Sequence, residues 1–241
     1  MYYLFMLINP IITEVSSIDK RKLCNLSLNH EVLGKLEVKT YLQGESSDMF
    51  NIDVINSDKL LIGREILGIE DRKKGIFGFN INVERKYRNN FIGELLRLVS
   101  IIELFENNKE EIEIASKPSA IYFHSKYKFE PDIRMFSNRD NALMSCIKNE
   151  CSDMVKERAE AIAIMEKIKQ LKTPEENRNF CKIVNEFIKK YITKVLSLSK
   201  ERQVFYPFDY GFNMKLLKTS ILENAKFFNE MYRKHGINYK I

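Results

Sequence analysis

The sequence predicts an α+β protein, because its two parts follow different hydrophobic periods. Up to about residue 136, short runs alternate apolar and polar residues between turn signals, which is typical of β-strands. After residue 138 the apolar residues recur at spacings of three, four and seven, which is typical of amphipathic helices. We therefore expect a first domain over residues 1–137 and a helical C-terminal region over residues 138–241, packed on that domain or extending it.

The first part predicts a series of strands. The opening run, MYYLFMLINPII, is interpreted as a buried first strand, and a short helix at about residues 18–27 is the most that fits before the next one. The clearest alternations lie in KLEVKTYL (35–42), LLIGREILGI (60–69) and GIFGFNINV (75–83).

The middle of the chain then changes period several times. After the strand that ends at residue 83 come a basic turn (84–90) and a helix at about 91–107. A strand EIEIAS (111–116), a short helix at about 118–127 and a strand at 129–136 complete the order.

Three helices are predicted in the second part. The first has one apolar stripe, and the second begins at Thr173, which forms a capping box with Glu176. The third is expected from about Met214 to Lys234, ending at Gly236. The aromatic stretch VFYPFDYGFNM (204–214) is either a late strand of the sheet or a loop that caps helical core. The apolar stripes are interpreted as core, with a partner-binding groove as the alternative.

Composition narrows the possible classes. The four cysteines form no C-x-x-C pair, so neither a metal site nor a disulfide framework is predicted, and we expect a reducing compartment. That compartment is the cytoplasm, or a host interior if the protein is delivered there. The opening apolar run is too short to span a bilayer and has no basic residue before it, so no membrane span is predicted.

Charge is distributed unevenly between the two parts of the chain. Residues 1–140 hold 20 Lys and Arg against 21 Asp and Glu, whereas residues 141–241 hold 19 against 12. The basic residues of the second part are interleaved with glutamates and match no nucleic-acid module, so nucleic-acid binding is not expected.

The basic turn before the 91–107 helix is the most informative local feature. The first turn of a helix has backbone N–H groups without partners and a partial positive charge, so it suits a phosphate. Arg85, Lys86 and Arg88 strengthen that field. The alternative is a solvated basic connection before an ordinary surface helix.

Two segments in the right order resemble the GCN5-related N-acetyltransferases, the GNAT superfamily. VERKYRNNFIGELL (83–96) is similar to the acetyl-CoA-binding pattern Q/R-x-x-G-x-G/A, with Arg88 and Gly93 at its ends. AIYFHSKYKF (120–129) is similar to a later segment, A-x-x-F-Y-x-K-x-G-F, with matches that include Ala120, Phe123 and Lys126. The resemblance covers about residues 60–136.

The resemblance implies a mixed, mostly antiparallel sheet with flanking helices. Two central parallel strands, about 76–83 and 111–116, would splay apart to admit the pantetheine arm of acetyl-CoA, the expected co-substrate. The resemblance places backbone contacts to pantetheine at Ile81, Asn82 and Val83. It places the pyrophosphate on the backbone of Arg88, Asn89, Asn90, Phe91, Ile92, Gly93 and Glu94.

Several positions depart from the family pattern. Phe91 stands where the pyrophosphate turn has its first glycine, and its side chain is expected either to crowd the phosphate or to turn into the core. His124 replaces the family's tyrosine general acid, and an imidazole can protonate a thiolate near neutral pH. Its alternative role is packing. Glu84 and Glu113 are the candidate bases, with solvated surface carboxylates as the alternative.

We therefore expect an acyl-CoA-dependent N-acyltransferase. The expected partners are acyl-CoA and an amine on a protein or a small molecule, with a protein partner for the helical C-terminal region as a further possibility. The alternative is a non-catalytic interaction protein that keeps a degenerate acetyltransferase frame.

Overall fold

The computed structural model describes residues 7–15, 21–44, 48–69, 74–116, 120–131 and 212–241, with isolated positions at 159, 160, 163, 176 and 183. The chain divides into two compact units. The first comprises Met1–Glu113 and Leu217–Ile241, and the second comprises Ile114–Leu216. In these described ranges, no helix is long and apolar enough to cross a membrane.

An antiparallel meander of six strands builds the first unit. Each strand pairs with the next along the chain, because short turns can join only antiparallel neighbours. The strands are β1 (Ile11–Glu14), β2 (Lys22–His30), β3 (Gly34–Leu42), β4 (Met49–Asn56), β5 (Leu61–Ile69) and β6 (Gly75–Val83). In the sheet order, β6 is followed by β7 (Glu111–Ser116), which begins in this unit and ends in the other.

Helix α1 (Ile92–Glu106) packs against β2, β4, β5 and β6 and is buried almost all round. Alternate residues of the strands point towards it, so that Val38, Ile52 and Val54 are fully buried. Gly63 permits a close approach of helix and sheet, since a Cβ atom there would meet Ile92 Cγ2 at 2.6 Å. This close contact sets the position of the first turn of α1 relative to β5.

The C-terminal segment returns to α1. Helices α3 (Lys218–Glu223) and α4 (Ala225–Lys234) follow each other, and the Tyr232 hydroxyl donates a hydrogen bond of 3.0 Å to the carbonyl of Leu98 in α1. Past α4 the backbone turns at Gly236, whose φ of 69° favours glycine, and bonds to Ile8. The end of α4 also lies close to the first turn of α1, since His235 Nε2 is 2.8 Å from Glu94 Oε1.

The second unit has few described elements. They are the end of β7, helix α2 (Ile121–Lys126), strand β8 (Glu130–Pro131) and most of strand β9 (Phe212–Leu217). Strands β8 and β9 pair antiparallel, with Glu130 opposite Lys215.

The structure confirms the α+β class with a mostly antiparallel sheet, flanking helices and helices at the C-terminal end. The short helix that was the most that could fit at about residues 18–27 is not formed at residues 22–27, because Lys22–His30 forms β2 and buries Cys24, Leu26 and Leu28. The predicted start of the last helix at Met214 is wrong. Residues 212–217 form β9, and the helical segments begin at Lys218.

The first strand differs from the prediction too. Residues 1–6 lie outside the described part, and β1 is largely exposed at the sheet edge, with Ile11 65% exposed. The predicted strand at 129–136 is described only at Glu130–Pro131. Apart from the isolated helical positions at 159, 160, 163, 176 and 183, the helices predicted from about residue 143 to 195 lie outside the described residues, as does the domain boundary at residue 137.

Candidate functional site

The predicted pantetheine-binding residues lie at the end of β6. Ile81 pairs with Glu65 and Asn82 pairs with Arg64, and paired residues share a face of the sheet. Glu65 contacts Arg97 and Ser100 of α1. Ile81 therefore lies on the α1 face, whereas Asn82 lies on the opposite face and is exposed.

The basic turn begins directly after β6. The Glu84 amide donates a hydrogen bond to the carbonyl of Ile62 at 3.0 Å, and a 3-10 turn follows at Arg85–Tyr87. Arg88 extends the backbone again, and its side chain folds back so that Nε donates to the carbonyl of Val83 at 3.1 Å. One of the predicted main-chain acceptors for pantetheine is thus in contact with the protein's own guanidinium.

Two residues of the turn have left-handed backbone conformations. Asn89 has a φ of 69°, which asparagine tolerates well, and Phe91 has a φ of 58°. For a residue with a Cβ atom this conformation costs about 1–2 kcal/mol. Phe91 therefore adopts the type of conformation that a glycine provides, at the position where the family pattern has glycine.

The Phe91 ring does not turn into the core, which was one of its two expected places. It is 48% exposed, and Lys234 Nζ of α4 lies 3.7 Å from the ring centroid. A cation over an aromatic face at this distance is a stabilising contact. The ring therefore points towards α4 and solvent, and it is not part of the core.

Helix α1 begins immediately after Phe91, without a side-chain cap at that residue. The Leu95 amide makes the hydrogen bond to Phe91 O, at 3.0 Å, that opens the helical series. The amides of Ile92 and Gly93 precede it and have no acceptor within the helix. This first turn can therefore donate to an anion, with its partial positive charge reinforced by Arg85 and Lys86 on the exposed turn.

Glu94 directs its carboxylate towards the end of α4. Its side chain is buried, and Oε1 lies 2.8 Å from His235 Nε2 and 3.1 Å from Lys234 Nζ. A carboxylate in the first turn also interacts favourably with the helix dipole. Lys234 is about half exposed, so α4 adds a cation beside the start of α1.

The carbonyl of Asn90, between the two left-handed residues, accepts a hydrogen bond from His30. His30 lies at the end of β2, and its Nε2 is 2.9 Å from Asn90 O. His30 Nδ1 lies 3.1 Å from the Val32 amide nitrogen and 3.2 Å from that of Leu33. The imidazole therefore connects the β2–β3 turn to the turn before α1.

Sequence reasoning missed His30, Lys234 and His235. They lie 60, 140 and 141 residues from their partners in the turn and helix. Because they share no local motif with those partners, the single sequence contained no signal for these contacts.

The predicted catalytic residues are distributed over both units. Glu84 is exposed and Glu113 is half-buried in β7, and both belong to the first unit. His124 belongs to the second unit, in α2, where it is 3% exposed. Its ring meets those of Phe123 and Phe129 edge-on, at centroid distances of 5.1 and 5.6 Å. These contacts favour the packing role for His124, and the catalytic roles of all three residues stay predictions.

The turn and the start of α1 fit the pyrophosphate of an acyl-CoA in three respects. The backbone has left-handed residues at Asn89 and Phe91, the first turn of α1 has no side-chain cap, and the preceding turn carries Arg85 and Lys86, with Lys234 beside the Phe91 ring. The contact between Arg88 and Val83 is the feature that would have to open for a pantetheine arm to reach that carbonyl.

No family model matches the chain, and no curated protein matches it either. Among solved structures, the chain is similar to a GNAT-family acetyltransferase from Staphylococcus aureus Mu50, with 26% identity, a TM-score of 0.33, and coverage of 35% of this chain and 54% of that one. It is also similar to a GNAT-family acetyltransferase from Elizabethkingia anophelis with acetyl-CoA bound, with 17% identity, a TM-score of 0.35, and coverage of 40% and 76%.

A third similar structure is the PaiA N-acetyltransferase from Thermoplasma acidophilum in complex with coenzyme A. The identity is 18% and the TM-score is 0.33, and the match covers 35% of this chain and 54% of that one. This chain thus spans about half the length of two of these three proteins. All three are acetyltransferases, and the first two carry the name of the superfamily that the two sequence segments resemble.

Proposed function

We propose that the chain is an acyl-CoA-dependent N-acyltransferase that transfers acetyl from acetyl-CoA to an amine of a protein or a small molecule. The observation that carries this proposal is the left-handed conformation of Phe91 before an uncapped α1. A strained conformation at a bulky residue is maintained only when the surrounding structure favours it, and such residues concentrate at functional sites.

In this proposal the backbone of residues 88–94 holds the pyrophosphate, and Arg88 and Lys234 contribute positive charge. The main chain of Ile81, Asn82 and Val83 holds the pantetheine arm. Bound acetyl-CoA supplies an acetyl group activated as a thioester. Glu84 or Glu113 takes the proton from the acceptor amine, directly or through water, and the imidazole of His124 donates a proton to the departing thiolate.

The second candidate function is a non-catalytic interaction protein. The contact between Arg88 Nε and Val83 O favours it, because the protein's own side chain uses a main-chain acceptor that the enzyme would offer to its co-substrate. The two candidates differ in whether acetyl-CoA binds at all.

The test is calorimetric titration of acetyl-CoA into the wild type and into an Arg88→Ala, Gly93→Trp double variant. We expect wild-type dissociation constants in the tens of micromolar or tighter, about −6 kcal/mol, and no detectable binding by the double variant. The matched control is Lys226→Ala, which removes an exposed cation near the start of α4 and should bind as the wild type does.

Absence of heat with all proteins folded, together with an unchanged melting temperature in acetyl-CoA, would contradict the enzyme and favour the interaction protein. If binding is established, the next step is an amine acceptor screen. His124→Ala, Glu84→Gln and Glu113→Gln would then test the three catalytic predictions one at a time.

A further inference from the structure

We propose that His30 is a positioning residue for the acyl-CoA site, and that its neutral imidazole holds the turn before α1 in its binding conformation. This inference rests on the proposed function, since it concerns the same pyrophosphate turn. It adds a residue outside both family-like segments and makes acyl-CoA affinity dependent on the protonation state of His30.

The hydrogen bonds of His30 determine its tautomer. Nδ1 lies within hydrogen-bond distance of two backbone N–H groups, those of Val32 and Leu33, so it acts as the acceptor and carries no proton. Nε2 therefore carries the ring proton and donates it to the carbonyl of Asn90 at 2.9 Å. Both ring nitrogens therefore bond to backbone groups. Nδ1 bonds to the β2–β3 turn, and Nε2 bonds to the turn before α1.

The location of the bond gives His30 its role. Asn90 lies between Asn89 and Phe91, the two left-handed residues of the turn. The turn has weak local hydrogen bonds of its own, since the Arg88 and Asn90 amides lie 3.4 Å from their acceptors at Arg85 and Tyr87. The short bond from His30 is therefore well placed to offset the strain at Phe91 and to fix the direction of the amides that follow.

Protonation of His30 would change this contact. A proton on Nδ1 would remove the acceptor for Val32 and Leu33 and would face two N–H groups. The nearby titratable groups are Glu31 on the same β2–β3 turn and His235 at the end of α4, which is itself paired with Glu94 and lies next to Lys234.

Those surroundings favour the neutral ring. Burial lowers the pKa of His30 below its ordinary value of 6.5, and the electrostatic effect of the nearby His235 lowers it too. The Asn90 carbonyl and Glu31 act in the opposite direction, but the net direction is down. His30 is therefore neutral at neutral pH and becomes charged only in acid.

Two variants separate the roles of the two nitrogens. Gln at position 30 places an amide N–H near the location of Nε2, so it can still donate to Asn90 but does not titrate. Asn at position 30 places its acceptor oxygen near the location of Nδ1, so it keeps the bonds to Val32 and Leu33 but is too short to reach Asn90.

The first measurement is acetyl-CoA affinity at about pH 7.5 and at a lower pH at which the NMR signal of the His30 ring shows that it is charged, because the pKa of His30 lies below the ordinary histidine value. At the higher pH we expect His30→Gln to bind within about twofold of the wild type and His30→Asn to bind about five- to tenfold more weakly, the effect of one lost hydrogen bond. On acidification the wild type should lose more affinity than His30→Gln does. The loss that both proteins share reports groups other than His30, such as the ligand phosphate.

The second measurement uses the ligand-free protein. We expect amide hydrogen exchange in residues 88–94 to be about five- to tenfold faster in His30→Asn than in His30→Gln or the wild type. A third measurement adds the ligand. By linkage, acetyl-CoA should shift the NMR titration of the His30 ring to lower pH.

The outcomes separate this inference from the proposed function. Wild-type protein that binds no acetyl-CoA overturns the proposed function, and the exchange rates then decide alone whether His30 positions the turn. If the wild type binds acetyl-CoA but His30→Asn and His30→Gln have equal affinities and equal exchange rates, the His30 inference is overturned. The proposed enzyme function is then unaffected. Equal pH dependence in the wild type and His30→Gln overturns the protonation requirement.

Discussion

The two ends of α1 are held in opposite ways. At the C-terminal end, Asn107 caps the helix, and its side chain bonds to both the amide and the carbonyl of Lys22 in β2, at 3.0 and 2.9 Å. Glu103 accepts a 2.6 Å hydrogen bond from the Cys24 amide. At the N-terminal end no side chain caps the helix, and Phe91 is strained and half-exposed.

This difference distinguishes a structural anchor from a binding element. At the C-terminal end the polar groups bond within the fold. At the N-terminal end the contacts come from other elements: His30 contacts the Asn90 carbonyl, Lys234 the Phe91 ring, and His235 the Glu94 carboxylate. The amides of Ile92 and Gly93 thus remain without an intrahelical acceptor. Changes at the C-terminal end should therefore affect stability, and changes at the N-terminal end should affect ligand binding.

The largest effect on stability is expected from a change of pH, which acts on Glu103 at the C-terminal end of α1. Burial raises the pKa of Glu103 to about 8, from an ordinary value of 4.5. The folded state therefore keeps a proton that the unfolded state releases, so this contribution to stability is complete below about pH 4.5 and is lost as pH rises through about 8. We expect the free energy of unfolding to fall by about 1 kcal/mol per pH unit across this window.

Urea denaturation between about pH 5 and pH 8 measures this slope. Glu103→Gln keeps an oxygen for the Cys24 amide and does not titrate, so its slope should be clearly shallower than that of the wild type. Identical slopes in the two proteins would contradict the assignment to Glu103.

Asn107→Ala should have the next largest effect. The change removes the bonds to both backbone groups of Lys22 and should lower the free energy of unfolding by about 2 kcal/mol. Acetyl-CoA affinity of the folded variant should stay within about twofold of the wild type, because one helix end does not position the other. Asn80→Ala, at an exposed site on β6, is the control and should change stability by less than about 0.5 kcal/mol. A large loss of affinity in Asn107→Ala would remove the distinction between the two ends.

The smallest effect is expected at Phe91, measured as the difference between two substitutions. Both Phe91→Gly and Phe91→Ala lose the contact with Lys234, but only glycine adopts the left-handed conformation without strain. Phe91→Gly should therefore be more stable than Phe91→Ala by about 1 kcal/mol in thermal or urea unfolding. Equal stabilities would mean that the turn does not keep the left-handed conformation at this position.

The elements that the sequence predicted correctly share a strong local pattern. Strands β3, β5, β6 and β7 and helix α1 lie within one residue of their predicted bounds, because their apolar residues alternate or recur without interruption. The missed strand β2 reads KLCNLSLNH, where Asn and Ser residues lower the β-propensity, and its identity depends on pairing with β3 and on packing against α1.

The sequence by itself determined the α+β class, the order of strand, basic turn and helix at residues 75–106, and the resemblance of two segments to one superfamily. All of these are properties of neighbouring residues. Only the tertiary structure decided that Phe91 is left-handed and exposed, and that Glu94 pairs with His235. Only the fold could bring His30 to Asn90. The physical reason is that these contacts join residues far apart in the chain, whose distances depend on how the meander and α4 close around α1.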